Sequence, residues 1–266
     1  MKRFMILILA IVLVLSLGFV LVKFGYLDLS SIGLGPKFIG GPDYYSDLKV
    51  IVVGRASHEM DALLKSEDFA LAGITYAGDL PQQSVTSAGV FKNFDVIIVQ
   101  GSRICNETAR TAIAEAVNGG KKMVLIGDAC TATPDDPNEG SWGELGEVMP
   151  VMISSVLFEA DDEAVYALKI DEPDHPIFNG VFDHEINAPE QTVLQKQDAT
   201  VLAHTDYAQR NAEVYPQATI VESSDNRVIY FAFDPAPNVQ TAMGSRNLFL
   251  STLLYLKGRL KPEETL

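Results

Sequence analysis

The sequence has no run rich in lysine and arginine: 20 basic residues stand against 35 acidic ones, a formal net charge of -15 and a pI near 4.6. Such a field repels phosphate backbones and anionic membrane surfaces, so nucleic acid is excluded as a natural partner. Neither G-x-G-x-x-G nor G-x-x-x-x-G-K-[ST] occurs, so no nucleotide cradle is supported and no cofactor is expected. The four histidines, His58, His175, His184 and His204, include no H-x-H or H-x-x-x-H pair that would present two imidazoles together to zinc. Asp128, Asp135, Asp136, Asn138 and Glu139 gather oxygen ligands, but not at the spacing of an EF-hand loop; they read as a solvated acidic loop, and no metal site is assigned. Internal repeats and low-complexity segments are absent as well.

What is present is a long apolar run at the start. Phe4 to Val22 carries no charge and is flanked by Lys2, Arg3 and Lys23. At about 1.5 Å per residue such a helix crosses the ~30 Å hydrocarbon layer. The residues after it offer no convincing small-x-small cleavage site, so the expectation is a retained transmembrane anchor over residues 1–23, with the bilayer as partner through residues 4–22. Lys2, Arg3 and the terminal amine favour a cytoplasmic N-terminus and an extracytoplasmic C-terminal domain, in a single-pass membrane protein. Residues 24–47 hold five glycines, two prolines and no periodic apolar pattern, and read as a flexible tether.

From Leu48 the pattern alternates between strand and helix. "LKVIVV" is a β-branched run suited to a strand buried on both faces, and Ser57 is placed to cap "HEMDALLKS". "ALAGITYA" reads as a second strand and "FDVIIVQG" as a third; Asn106 caps "ETARTAIAEAVN", and "KKMVLIG" is the fourth. Asn106 also opens a formal glycosylation sequon, for which the capping role competes. Strand and helix at this spacing predict a doubly wound, mostly parallel α/β sheet of flavodoxin-like type, behind the one N-terminal transmembrane helix. In the second half "VMISSVLFE" and "AVYALKI" read as strands, and "QATIVES" and "RVIYFAF" flank "SDN" as an antiparallel hairpin near the C-terminus. A final helix carries Leu248, Phe249, Leu253 and Leu256 inward, which makes one domain of residues 48–258 and a charged tail of 259–266.

A strand ending in "QGS", a helix, a strand ending in "GDAC" and a late strand ending in "FDP" resemble the class I glutamine amidotransferase-like superfamily. "DHPIFNGV" with "ATIVESSDNRVIYFAFDPA" is more similar to its ThuA-like, non-amidotransferase branch. Catalytic members carry G-x-C-x-G for the nucleophile and F-H-P-E for its partners. On this chain Asp234 stands at the histidine position and Ala236 at the glutamate position. Cys130 lies one residue late, and the glycine after it is missing. A free thiol titrates near 8.5. A neighbouring carboxylate would raise that pKa further, so Cys130 is a weak candidate nucleophile.

Cys105 and Cys130 lie shortly beyond two strands whose carboxyl ends can be neighbours. A disulfide, two inert buried thiols and a reactive Cys130 all remain open. Trp142 in "GSWGELG" either packs under the long loop or forms an exposed lip for a partner. The resemblance and the missing partners together imply a non-catalytic ligand-binding or protein-interaction module. A carbohydrate or other polar small molecule would sit at a carboxyl edge lined by Arg55, Ser102, Asp128 and Asp234. Two alternatives are a hydrolase using Cys130 or a water activated by Asp128 and Asp234, and a structural subunit of a membrane assembly.

Overall fold

The computed structural model describes residues 47–154, 166–181, 184–186, 189–208, 214–236 and 242–260. The chain divides after Ser46, and these residues all belong to its second unit, Asp47–Leu266. The proposed anchor, residues 4–22, and all of the tether but Asp47 lie outside the described residues, as do 261–266 of the tail. Among the described residues no helix is long and apolar enough to cross a membrane.

The first half follows a strand and helix alternation: β1 (Leu48–Gly54), α1 (His58–Leu64), α2 (Glu67–Leu71), β2 (Ile74–Leu80), β3 (Val96–Gln100), α3 (Glu107–Asn118) and β4 (Lys122–Ile126). Both expected caps are in place. Ser57 accepts from the Met60 N–H and Asn106 Oδ1 accepts from the Ala109 N–H at 2.7 Å, each satisfying a donor that the first helical turn leaves free. One assignment needs correction. The opening of "ALAGITYA" belongs to the end of α2, and the second strand starts only at Ile74, after Gly73. A five-residue helix is too short to show a 3.6-residue period, so the apolar run masked it.

The second half comprises β5 (Val151–Ile153), β6 (Tyr166–Ile170), β7 (His184–Ile186), β8 (Val193–Gln195), β9 (Thr200–Ala208), β10 (Val214–Glu222), β11 (Val228–Phe231) and α4 (Ala242–Leu256). The main sheet runs β2-β1-β3-β4-β11-β10-β9-β6-β7, and β5 pairs with β8 in a separate two-stranded ribbon. Contacts from β2 to β11 are parallel. From β11 to β7 every pairing is antiparallel. The expected C-terminal hairpin is therefore the inner edge of a larger antiparallel extension, in which β9, absent from the sequence reading, makes the longest pairing.

Alternation along the central strands builds two cores. Leu48, Val50, Val52, Val96, Ile98, Val124, Ile126, Ile229 and Phe231 face one side, where α1, α2 and α4 cover them with Met60, Phe69, Leu248, Phe249, Leu253 and Leu256. Ile51, Val53, Ile97, Val99, Met123, Leu125, Val228 and Tyr230 face the other, packed against Ala109, Ala112, Ile113 and Val117 of α3 and against Trp142. Strands buried on both faces must be almost continuously apolar, as these sequences are. Fully burying each large side chain contributes about 1.5–3 kcal/mol.

Candidate functional site at the carboxyl edge

The order β2-β1-β3-β4 places β2 on one side of β1 and β3 on the other, so the chain reverses its direction of winding between β1 and β3. Loops leaving the carboxyl ends of such a pair diverge and leave a crevice, where open α/β sheets bind ligands. Here the two loops touch at their base. Arg55 N–H donates to the Gln100 carbonyl at 3.3 Å, and Gly101, at φ +97°, lies so close to the Arg55 carbonyl that a Cβ would overlap it.

Above that floor is a cavity of about 740 Å³ lined by Arg55, Ala56, Ser57, His58, Asp61, Asp79, Gln100, Gly101, Ser102, Glu190 and Asp234. The structure thus brings Arg55, Ser102 and Asp234 to one pocket. Asp128 is not in its wall but stands behind Glu190: its backbone N–H donates to the Glu190 carboxylate, and its own carboxylate acts on Glu190 electrostatically.

Asp234 is positioned by the end of β11. Its Oδ1 accepts from the Ala236 N–H at 2.9 Å and its Oδ2 from Gln100 Nε2 at 2.8 Å. Burial pushes its carboxyl up, an effect opposed by those hydrogen bonds and one from Ser57. Asp128 is also raised by burial, with Arg103 pulling the other way. Asp79 is held by the Ala56 N–H and the Tyr76 hydroxyl, and Asp61 pairs with Lys65 at 2.7 Å.

Glu190 enters from the segment before β8, its N–H donating to the Ala232 carbonyl at 2.7 Å. Its carboxylate lies over Gly127, where a Cβ would collide with it. The residue as a whole is exposed, yet burial of its carboxyl, followed by the nearby charges of Asp234 and Asp128, pushes its pKa up to about 7.

Glu190, Gln100, Asp61 and Asp79 were not singled out by sequence. The signal for Gln100 was its place at the end of a strand read correctly, one residue before Gly101. For Glu190 there was none, because "NAPEQT" carries no motif and reaches the site only through the antiparallel half.

Cys105 and Cys130 are joined as a disulfide with Cα atoms 4.7 Å apart, closing a separation of 25 residues. The bridge sits within a short ladder between the loops after β3 and β4, with Cys130 N–H donating to Ser102 O, Cys105 N–H to Ala132 O and Ala132 N–H to Arg103 O. Cys130 is fully buried and holds φ +60°, a backbone region costly for any residue but glycine. Trp142 is buried beside it, its indole N–H donating to Ala129 O at 3.0 Å and its ring set edge-on to Tyr230.

In the acidic loop, Asp136 Oδ1 accepts from the Asn138 N–H, and Glu139 pairs with the fully buried Arg110 at 3.0 Å. Among the described residues no group of histidine, cysteine or acidic side chains is arranged to hold a metal ion. His204 is engaged by Asp171 at 2.8 Å, and His175 by Glu222 at 3.2 Å.

Comparison with known proteins gives the scaffold a context. No protein-family model and no curated protein matches the chain. Among solved structures it is similar to a ThuA-like protein from Bacteroides uniformis ATCC 8492, with TM-score 0.56 and 12% identity over 83% of this chain and 94% of that one. A protein from Thermoplasma acidophilum described as a GMP synthase subunit gives TM-score 0.52 and 12% identity over 80% and 94%. A β-galactosidase from Bacillus circulans sp. alkalophilus gives 0.54 and 16% over 82% of this chain, which corresponds to 32% of that enzyme. At such identities the likeness is one of fold alone, a fold shared with the ThuA-like protein and the protein described as a GMP synthase subunit.

Proposed function

We propose that the chain is a membrane-anchored, extracytoplasmic binding module on a glutamine amidotransferase-like scaffold without a working Cys-His-Glu triad, and that it takes a polar small molecule in the crevice between β1 and β3. The observation that carries this reading is the crevice itself. It has the volume of a small-molecule site, and polar and charged side chains from five separate segments converge on it. The sulfur a thiol enzyme would need is joined to Cys105, and Asp234 faces Gln100 and Ala236 from the position where the family's histidine would stand.

The test is titration of the full chain in mild detergent with neutral mono- and disaccharides and other polar metabolites, followed by calorimetry or thermal shift. Saturable binding that Asp234→Asn and Asp128→Asn weaken is the expected result. Binding unchanged by both variants would place the ligand elsewhere, and no binding of any probe would remove the reading.

A second reading has one specific support. Glu190, carrying a proton near neutral pH, shares the pocket with a second carboxyl in Asp234, the arrangement in which an acid and a water-activating base divide a hydrolysis between them. Turnover of aryl glycosides or esters, lost in Glu190→Gln and retained when both cysteines are replaced by alanine, would favour it.

A further inference from the structure

The pocket's charges are unbalanced. Asp61, Asp79, Glu190 and Asp234 line it against Arg55 and His58, and only Asp61 has a lysine partner among the described residues. Hydrogen-bonding capacity is skewed the same way. Gln100 is 4% exposed and spends its Nε2 on Asp234 Oδ2 at 2.8 Å and, more loosely, on Ser57 Oγ at 3.4 Å. Turning the amide over would set its oxygen against the Asp234 carboxylate, so the acceptor orientation is fixed by that neighbour. Its Oε1 is buried and has no hydrogen-bond partner among the described residues. A buried acceptor left unmatched costs free energy that a donor from a ligand recovers. The walls thus offer carboxylates and an unmatched amide oxygen, with few donors to meet an anion.

Resting on the reading of this crevice as a binding site, we infer that its ligand is a small organic cation, a protonated amine whose N–H groups meet Asp234, Glu190 and the Gln100 amide oxygen. A metal ion does not meet the same demand, because the described residues hold no group of ligands arranged for one. Charge-assisted hydrogen bonds from an ammonium to carboxylates are the stronger kind.

The inference carries a proton signature. Glu190 faces Asp234 and Asp128. Glu59 also acts on Asp234, and Arg103 on Asp128, while Arg55, His58, Asp61 and Asp79 stand on the remaining walls. Burial and the like charges hold the Glu190 carboxyl near 7. A bound ammonium favours the ionised form, so binding expels a proton and affinity rises as pH rises through neutrality. A neutral ligand lacks that coupling.

The experiment is isothermal titration of the full chain in mild detergent with putrescine and with butanediol, the diol of the same chain length, in two buffers of different ionisation enthalpy. Putrescine is expected to bind roughly tenfold tighter or more than the diol, with proton release that vanishes in Glu190→Gln and affinity that falls about tenfold in Asp234→Asn. Equal binding of amine and diol, or amine binding indifferent to both variants and to pH, overturns the inference. If the amine fails while a neutral sugar binds, the cation is wrong and the binding site stands; if every probe fails, both are lost.

Discussion

Severing the link between Cys105 and Cys130 should destabilise the domain by an amount that chain entropy sets. The bridge closes 25 residues. For a loop of that length the loop-closure model gives about 3.5 kcal/mol at 25 °C. For a domain of this size that corresponds to a fall in melting temperature of roughly 7–14 °C. Reduction is the cleanest perturbation because both sulfur atoms stay in place and only the cross-link is removed. Trp142, the one tryptophan in the chain, is buried beside the bridge and donates to Ala129 O, so its emission reports the same loop. Urea unfolding followed by that emission, with and without reductant, measures the difference.

A variant pair then separates cross-link from backbone. Cys130 holds φ +60°, where a side chain is disfavoured. With Cys105→Ala in both, the Cys130→Gly chain should therefore be about 1 kcal/mol more stable than the Cys130→Ala chain. A loss on reduction below about 1 kcal/mol would refute the loop-closure reasoning, and equal stability of the glycine and alanine variants would refute the conformational part.

Four further outcomes are expected. Asn106→Ala removes the side-chain acceptor for the Ala109 N–H and should cost about 1 kcal/mol in denaturant unfolding. Arg110→Ala strips the partner from Glu139 and empties a fully buried site, for an expected loss of about 3 kcal/mol by the same measurement. Because the Glu190 carboxyl is raised in the folded chain, the folded state binds its proton more tightly between the ordinary glutamate range and about 7. Its contribution is full below that window and is lost as pH rises through it, so Glu190→Gln should flatten the decline of stability seen on going from acidic to mildly alkaline pH. Gly127→Ala pushes into the Glu190 carboxylate and should shift the Glu190 titration, read by carbon-detected NMR, away from 7.

The parallel half of the sheet was legible because its central strands are apolar runs buried on both faces and because α1 and α3 each begin at a capping side chain. Leu48 to Val53 and Val96 to Gln100 are of this kind, as are Ser57 and Asn106 at the helix starts. The antiparallel half was not. In β9, Leu202 and Thr205 are buried while Val201, His204 and Asp206 are only partly covered, so the strand mixes polar and apolar residues and lacks a continuous run. The pocket divided along the same line. Arg55, Ser102 and Asp234 sit just beyond strands read correctly and could be placed by position, whereas Glu190 arrives from a segment with no local signal and acquires its properties from burial and then from Asp234 and Asp128, 44 and 62 residues away in sequence.

The seat of β11 between β4 and β10 has a consequence for how the chain is made. Residues 228–231 join the parallel half to the antiparallel half, and α4, which covers one core, is later still. A nascent chain that has reached only Glu222 owns two partial sheets, each with a raw backbone edge, and no strand to join them. Unpaired edges are templates for other chains. Loss of β11 would therefore yield adhesive halves rather than a smaller working domain, and correct folding waits on residues 228–231.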